Sequence, residues 1–259
     1  FFPAIIVVIF GALVGTQPTG GGLFAEPQGY YVAGYLAVVV LFTPLSRIGS
    51  TVARYREGSR FEKLATTPLT RGEWLLAQSL VNVAVIGVAA VLLFVLTVLV
   101  AGVAVPFAPA TLLFLPFVAV GVVLFCGLGA VIGRVADSQD GVIAASNAVA
   151  LPLLFLSETF VTPELLPTWF RPALELSPLT YVVRGIRAVT YADATTAVLP
   201  NLAVAVVLAS AFFPARGSRP PLTPLSPRRR PASSPPPPVL SPRVRETPPR
   251  RLPPSTPRA

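Results

Sequence analysis

Apolar residues fill most of this chain in long unbroken blocks, and polar residues are confined to the joints between blocks. That pattern predicts helices that are hydrophobic all round, and a helix needs about 20 such residues to cross roughly 30 Å of hydrocarbon. The first block, Phe1 to Gly15, is shorter than this and begins at residue one, so it reads as a span whose opening turns lie outside this sequence. Its Gly11 and Gly15 make a G-x-x-x-G pair, which suits close helix packing. A polar loop from Thr16 to Gly29, without Lys or Arg, leads to a second span from Tyr30 to about Ser50, broken late by Pro44. Tyr30 and Tyr31 open it at the level expected of interfacial aromatics. A third span runs from about Trp74 to Ala101 and a fourth from about Ala108 to Gly133, joined by a tight turn near Pro106. Gly129 and Gly133 repeat the small-residue spacing. A polar joint with Arg134, Asp137 and Asp140 precedes a fifth span from about Val142 to Leu156, where Asn147 is expected to face other helices. A sixth runs from about Thr195 to Phe213.

Two stretches break the pattern. Between the second and third blocks, Tyr55 to Leu76 concentrates charge: Arg56, Glu57, Arg60, Glu62, Lys63, Arg71 and Glu73, with Arg54 just ahead. Ser59 with Glu62, and Thr70 with Glu73, have the spacing of capping boxes, which satisfy the free backbone donors of a helix start. The first box predicts a short amphipathic helix that Pro68 ends, and the second predicts the start of the next span. The other stretch, Ser157 to Asp193, holds Thr162-Pro163 and Ser177-Pro178, each a capping residue before a proline at the first helical position. Two helices are expected there, one carrying Leu165, Leu166, Trp169 and Phe170, the other Leu179, Tyr181, Val182 and Ile186 with Arg184 and Arg187. They read as helices lying in or dipping into the outer interface.

Cations set the orientation. Arg47, Arg54, Arg56, Arg60, Lys63 and Arg71 surround the central loop, which is therefore cytoplasmic, while the loops after the first and third spans carry none. Six spans then leave both termini inside. Arg171, Arg184 and Arg187 fall on the outer side against the rule, and Glu158, Glu164 and Glu175 are their nearest partners in sequence.

Composition agrees with the blocks. Hydrophobic residues make up 53% and charged residues 12%, with a mean hydropathy of +0.72, whereas soluble chains hold about 25% charged residues. The net charge of +9 would suggest nucleic acid, but residues 1–215 are balanced and the excess lies in the tail after Pro214, so no nucleic-acid partner is expected. That tail, residues 214–259, is rich in proline and arginine and cannot build a core, so it reads as disordered. Its abrupt onset also fits a GC-rich gene read out of frame, which the nucleotide sequence would decide. The absence of methionine reads as a fragment or a processed form. Cys126, alone in an apolar run, is expected to be a small buried residue, and histidine is absent.

Chemistry is correspondingly sparse. There is no G-x-x-x-x-G-K-[ST] phosphate cradle, and Lys63 is the sole lysine, so ATP hydrolysis by that route is excluded. No catalytic, cofactor or metal residues stand out. The span interiors carry no ionisable side chains of the kind that ion-coupled carriers keep at mid-membrane. Energy must then enter from elsewhere, and the cytoplasmic amphipathic helix is the place for a partner to push.

Arg56-Glu57-Gly58, Phe61-Glu62-Lys63-Leu64, Thr67-Pro68-Leu69-Thr70-Arg71 and Glu73-Trp74-Leu75-Leu76 together resemble the corresponding stretch of type-2 ATP-binding-cassette (ABC) transporter permeases. Leu166-Pro167-Thr168-Trp169 and Ser177-Pro178-Leu179-Thr180-Tyr181, with Arg184 and Arg187, resemble that family's segment before its last span. The resemblance covers residues 1–213 and implies an all-α polytopic membrane protein, with six transmembrane helices, a cytoplasmic coupling helix and outer re-entrant or interfacial helices. It further implies a permease domain that exports a substrate across the plasma membrane, paired with a second permease copy and with a separate ABC ATPase that binds ATP and Mg. Ser59 to Thr66 would be the coupling helix, with Phe61 and Leu64 as apolar anchors and Glu57, Arg60 and Lys63 as a polar rim; Arg56, Gly58, Glu62 and Pro68 complete the ATPase-facing set. Pro167, Trp169, Pro178, Tyr181, Arg184 and Arg187 would form the outer re-entrant segment. The alternative is an ATP-independent channel or secondary carrier.

Overall fold

A computed structural model describes residues 27–58, 60, 70–101, 109–160, 162–192 and 194–212. Every regular element among them is helical. In chain order these are α1 (Gln28–Glu57), α2 (Arg71–Ala101), a 3-10 turn (Pro109–Leu113) leading into α3 (Phe114–Val135), and α4 (Gln139–Phe155). The one-turn α5 (Arg171–Leu174), α6 (Pro178–Thr190) and α7 (Val198–Phe212) follow. The expected first span with its Gly11/Gly15 pair, the helix from Ser59 to Thr66 apart from Arg60, the turn near Pro106 and the tail lie outside the described residues.

Three helices are long and apolar enough to cross a membrane, within Gly29–Glu57, Gly72–Leu99 and Thr111–Val135. Two shorter apolar helices, Gln139–Phe155 and Val198–Phe212, accompany them. α3 is central, packed against α1, α2, α6 and α7, and α1 in turn touches α2, α4 and α6. The sequence shows why α2 sits at the edge. Leu75, Ser79, Asn82, Ile86, Ala90, Leu93 and Thr97 recur at helical spacing and are buried, while Leu80, Val81, Val88, Leu92 and Leu99 between them stay exposed for lipid. Cys126 is buried in α3, as its apolar surroundings predict.

The α1–α3 contact is built on small residues. A Cβ at Gly129 would lie 2.5 Å from the Leu45 carbonyl oxygen, and one at Gly133 would strike the Gly49 carbonyl oxygen. Gly49 itself faces the Gly129 carbonyl. The Gly129/Gly133 pair therefore does what its spacing predicts, letting two backbones touch where dispersion and close fit, rather than water exclusion, hold helices together.

Several expectations need correction. Pro44 does not break the second span: α1 continues through it to Glu57. Proline removes one N–H, so the Val40 carbonyl loses its helical donor, but Val40 and Pro44 are both buried among neighbouring helices that hold the axis in place. Arg47, Arg54 and Arg56 therefore belong to the end of a helix rather than to a loop.

Asn147 is exposed rather than turned to other helices, because the buried stripe of α4 is Val142, Ser146 and Ala150, and Asn147 stands one position round from it. The helix expected from Pro163 is a single 3-10 turn, Pro163–Leu165. Pro167 forces Leu166 into an extended conformation (φ −97°, ψ 144°), which stops it. Trp169 and Phe170 lie in the turn that follows. Neither Thr162 nor Ser177 caps through its side chain; Ser177 Oγ donates to the Leu153 carbonyl instead, at 2.9 Å. α6 starts at Pro178 as expected, but it is inserted among α1, α3 and α7 with ten of its thirteen residues buried, so it does not lie along the surface. Gly185 makes this possible, since a Cβ there would collide with the Phe117 ring.

Candidate functional site

The charged end of α1 carries the described part of the ATPase-facing set. α1 ends because Gly58 turns the chain: its N–H donates to the Arg54 carbonyl at 3.0 Å with φ −86°, an ordinary conformation, so the turn does not depend on glycine's freedom. Glu57, Gly58 and Arg60 are exposed. Arg56 points the other way. Its Nη1 donates to the carbonyls of Arg134 (2.6 Å), Ala136 (3.0 Å) and Gly133 (3.3 Å), which are the acceptors left over where α3 ends. A cation at that position also complements the negative end of the α3 dipole.

The far side of the same loop is fixed by the second capping box. Thr70 donates to Glu73 Oε2 from its N–H (2.8 Å) and its hydroxyl (2.9 Å), while the Glu73 N–H donates to Thr70 Oγ1 at 3.2 Å. One residue further on, the Trp74 ring packs on Tyr55 of α1 at 5.2 Å, and the Arg60 guanidinium stands over Tyr55 at 5.6 Å. The stems of the loop are thus tied together by aromatics and, through Arg56, to α3. Phe61, Glu62, Lys63, Leu64 and Pro68 lie outside the described residues.

The second set centres on a carboxylate. Glu158, in the turns after α4, is 4% exposed. Arg184 Nε donates to Glu158 Oε1 at 3.0 Å and Nη2 reaches the same oxygen. Arg187 Nη2 donates to the Glu158 carbonyl at 2.6 Å, its Nη1 lies 3.8 Å from Oε2, and its guanidinium sits 3.6 Å from the Tyr30 ring centroid. The hydrogen bond to Glu158 raises the pKa of Arg184 above the usual guanidinium value. Arg184 and Arg187 come together as one cluster, while Tyr181 Oη donates to the Glu175 carbonyl (3.2 Å) and Pro178 starts α6. Pro167 and Trp169 are exposed and apart from the cluster, Trp169 edge-on to Phe170.

Two members were not in the sequence-derived set. In the sequence Glu158 is one of three acids near the outer arginines, and Tyr30 opens a span as an interfacial aromatic. The signal for Glu158 was its position at the end of an apolar block, where a lone acid has to meet a cation. Among the described residues no group of three His, Cys, Asp or Glu is placed to hold a metal.

Braced loop stems, a glycine-packed helix pair and an inserted helix before the last apolar helix follow one another along the chain. The model of the ABC-2 type transporter family matches residues 1–191. The chain belongs to this family. Over 65 residues it is also 32% identical to the daunorubicin resistance ABC transporter permease protein DrrB1 of Streptomyces coeruleorubidus, a match that covers 25% of this chain and 23% of that protein. The chain thus matches less than a quarter of that relative's length. Membership places this ABC-2 permease among the membrane components of ABC transporters, and the apolar helices agree with a membrane location.

Proposed function

We propose that this chain is the six-span membrane subunit of an ABC exporter in the plasma membrane, with both termini cytoplasmic, driven by ATP that a separate subunit binds with Mg and hydrolyses. The observation that carries this reading is the bracing of the loop between α1 and α2, which Tyr55, Trp74 and the Thr70–Glu73 box close at its stems and Arg56 ties to α3. A segment held this way passes a push on to the helices, whereas a slack loop would absorb it. The coupling helix is then Ser59 to Thr66, with Phe61 and Leu64 in a groove of the ATPase and the exposed Glu57 and Arg60 on the rim. The name of the DrrB1 relative, a drug-resistance permease, supports a lipophilic drug-like cargo.

A second copy of the chain completes the transporter. Asn147 supports this, because its amide is exposed on an apolar helix where lipid offers no hydrogen-bond partner.

Replacing Phe61 and Glu62 together by alanine tests the central claim. The variant is expected to insert normally and to lose co-purification with the co-expressed ATPase. Normal co-purification would remove Ser59 to Thr66 as the contact.

A further inference from the structure

Beside the loop stems lies a cavity of about 700 Å³ whose described lining includes Arg47, Thr51, Arg54, Tyr55 and Arg60, with Glu57 the one acid. Arg47, Thr51 and Arg54 share a face of α1 by their spacing of four and three. Thr51 Oγ1 donates to the Arg47 carbonyl at 2.8 Å and accepts from Arg54 Nη2 at 3.3 Å, which lines up the stripe. Among the described residues none of these three arginines makes an ion pair, and the lining is net positive by two charges.

Depth identifies what such a cavity receives. With the outer edge of the hydrocarbon at Tyr30 and a rise of about 1.5 Å per residue, Arg47 lies about 25 Å along α1 and Arg54 about 36 Å. They straddle the inner boundary of a hydrocarbon layer roughly 30 Å thick. Arg47, with a long aliphatic stem, has the few ångströms of reach needed to bring its guanidinium toward the cytoplasm to that inner boundary. Tyr55 and Trp74, one lining the cavity and the other packed on it, are the aromatics expected at a headgroup layer. A cytoplasmic acidic peptide would meet Arg60 but would have to enter the bilayer to reach Arg47.

We propose that this cavity binds the phosphate-bearing headgroup of an anionic inner-leaflet phospholipid, held by Arg47 and Arg54 against the stems of the coupling loop. The lipid occupies the α1–α2 side, beside the segment assigned to the ATPase. It makes loop rigidity depend on membrane composition. The inference rests on the orientation argued above and not on the ATPase pairing. Its test uses no ATPase, so failure here leaves that pairing standing.

The chain has two tryptophans, so Trp169→Phe leaves Trp74 as the sole reporter next to the cavity. The full chain in this background is placed in phosphatidylcholine vesicles in which a fixed fraction of lipid carries a quencher at carbon 5 of the acyl chain. Quencher-bearing phosphatidylglycerol is expected to quench Trp74 several-fold more effectively than quencher-bearing phosphatidylcholine. Each arginine near the surface contributes about fivefold to such a preference. Arg47→Gln with Arg54→Gln should therefore bring it close to unity, and Arg134→Gln, on an exposed arginine at the end of α3, should leave it unchanged. Equal quenching by the two lipids, a preference that survives the double change, or a preference lost equally with Arg134→Gln would overturn the site. Loss of the preference on adding 10 mM inorganic phosphate at constant ionic strength would also overturn it, by assigning the guanidinium groups to a soluble phosphate.

Discussion

At the scale of single residues, Glu158 decides more than any other described side chain. One carboxylate answers two arginines, and Tyr30 covers the second of them. Glu158→Gln keeps the shape and removes the charge. Breaking a fully buried pair costs about 3–5 kcal/mol, but less is lost here, since Arg184 is partly exposed to solvent and Arg187 keeps the Glu158 carbonyl and the Tyr30 face. A loss of about 2 kcal/mol is therefore expected in unfolding of the detergent-solubilised protein. Stability unchanged within about 0.5 kcal/mol would show that the arginines are held without the carboxylate. The arginines were legible in the sequence as breaches of the cation rule. Their acceptor was not singled out, because three acids lie within reach along the chain and only the fold puts Glu158 under α6.

Among the elements, α1 and α6 depart furthest from their linear appearance. Pro44 reads as a stop in isolation, yet α1 passes it because packing on several sides replaces what one lost hydrogen bond gave. The arginines of α6 suggest a surface helix, but its burial follows from Gly185 against Phe117, from the Arg184–Glu158 ion pair, and from the Glu158 carbonyl and Tyr30 ring that Arg187 meets. The starts of α2 and α6 and the glycine contact of α3 were legible because each depends on residues no more than four apart. Arg56 could not be read this way, since its acceptors lie almost eighty positions away. Arg56→Gln is expected to loosen the end of α3. Amide exchange in the last turn of α3 should rise about fivefold, corresponding to about 1 kcal/mol, while amides at the middle of the helix keep their rates. A uniform rise along α3 would instead mean general destabilisation.

Taken whole, the molecule exposes the Asn147 amide on the apolar helix α4, and that sets up the test of assembly. If the second copy proposed above packs on α4 about a two-fold axis, then with Cys126 replaced by serine, Asn147→Cys should form a disulfide-linked dimer under mild oxidation in the membrane. A cysteine at exposed Leu80 of α2 should not. Cross-linking at Leu80 and none at position 147 would put the second copy against α2. The blocks of the sequence foretold an all-helical membrane protein because burial in lipid and burial in protein ask for the same apolar residues. For that same reason they could not tell which faces meet another helix. α4 illustrates this, since Ser146 and Asn147 look alike in sequence and only one of them is buried.

The grip of Arg56 has one further consequence. The atoms it holds are backbone carbonyls, which every residue type provides in the same place. Positions 134 and 136 can therefore change identity without weakening the joint, whereas position 56 needs a side chain that offers several donors from one planar head. The exposed side chains at the tip of α3 can therefore vary while the joint behind them keeps its strength.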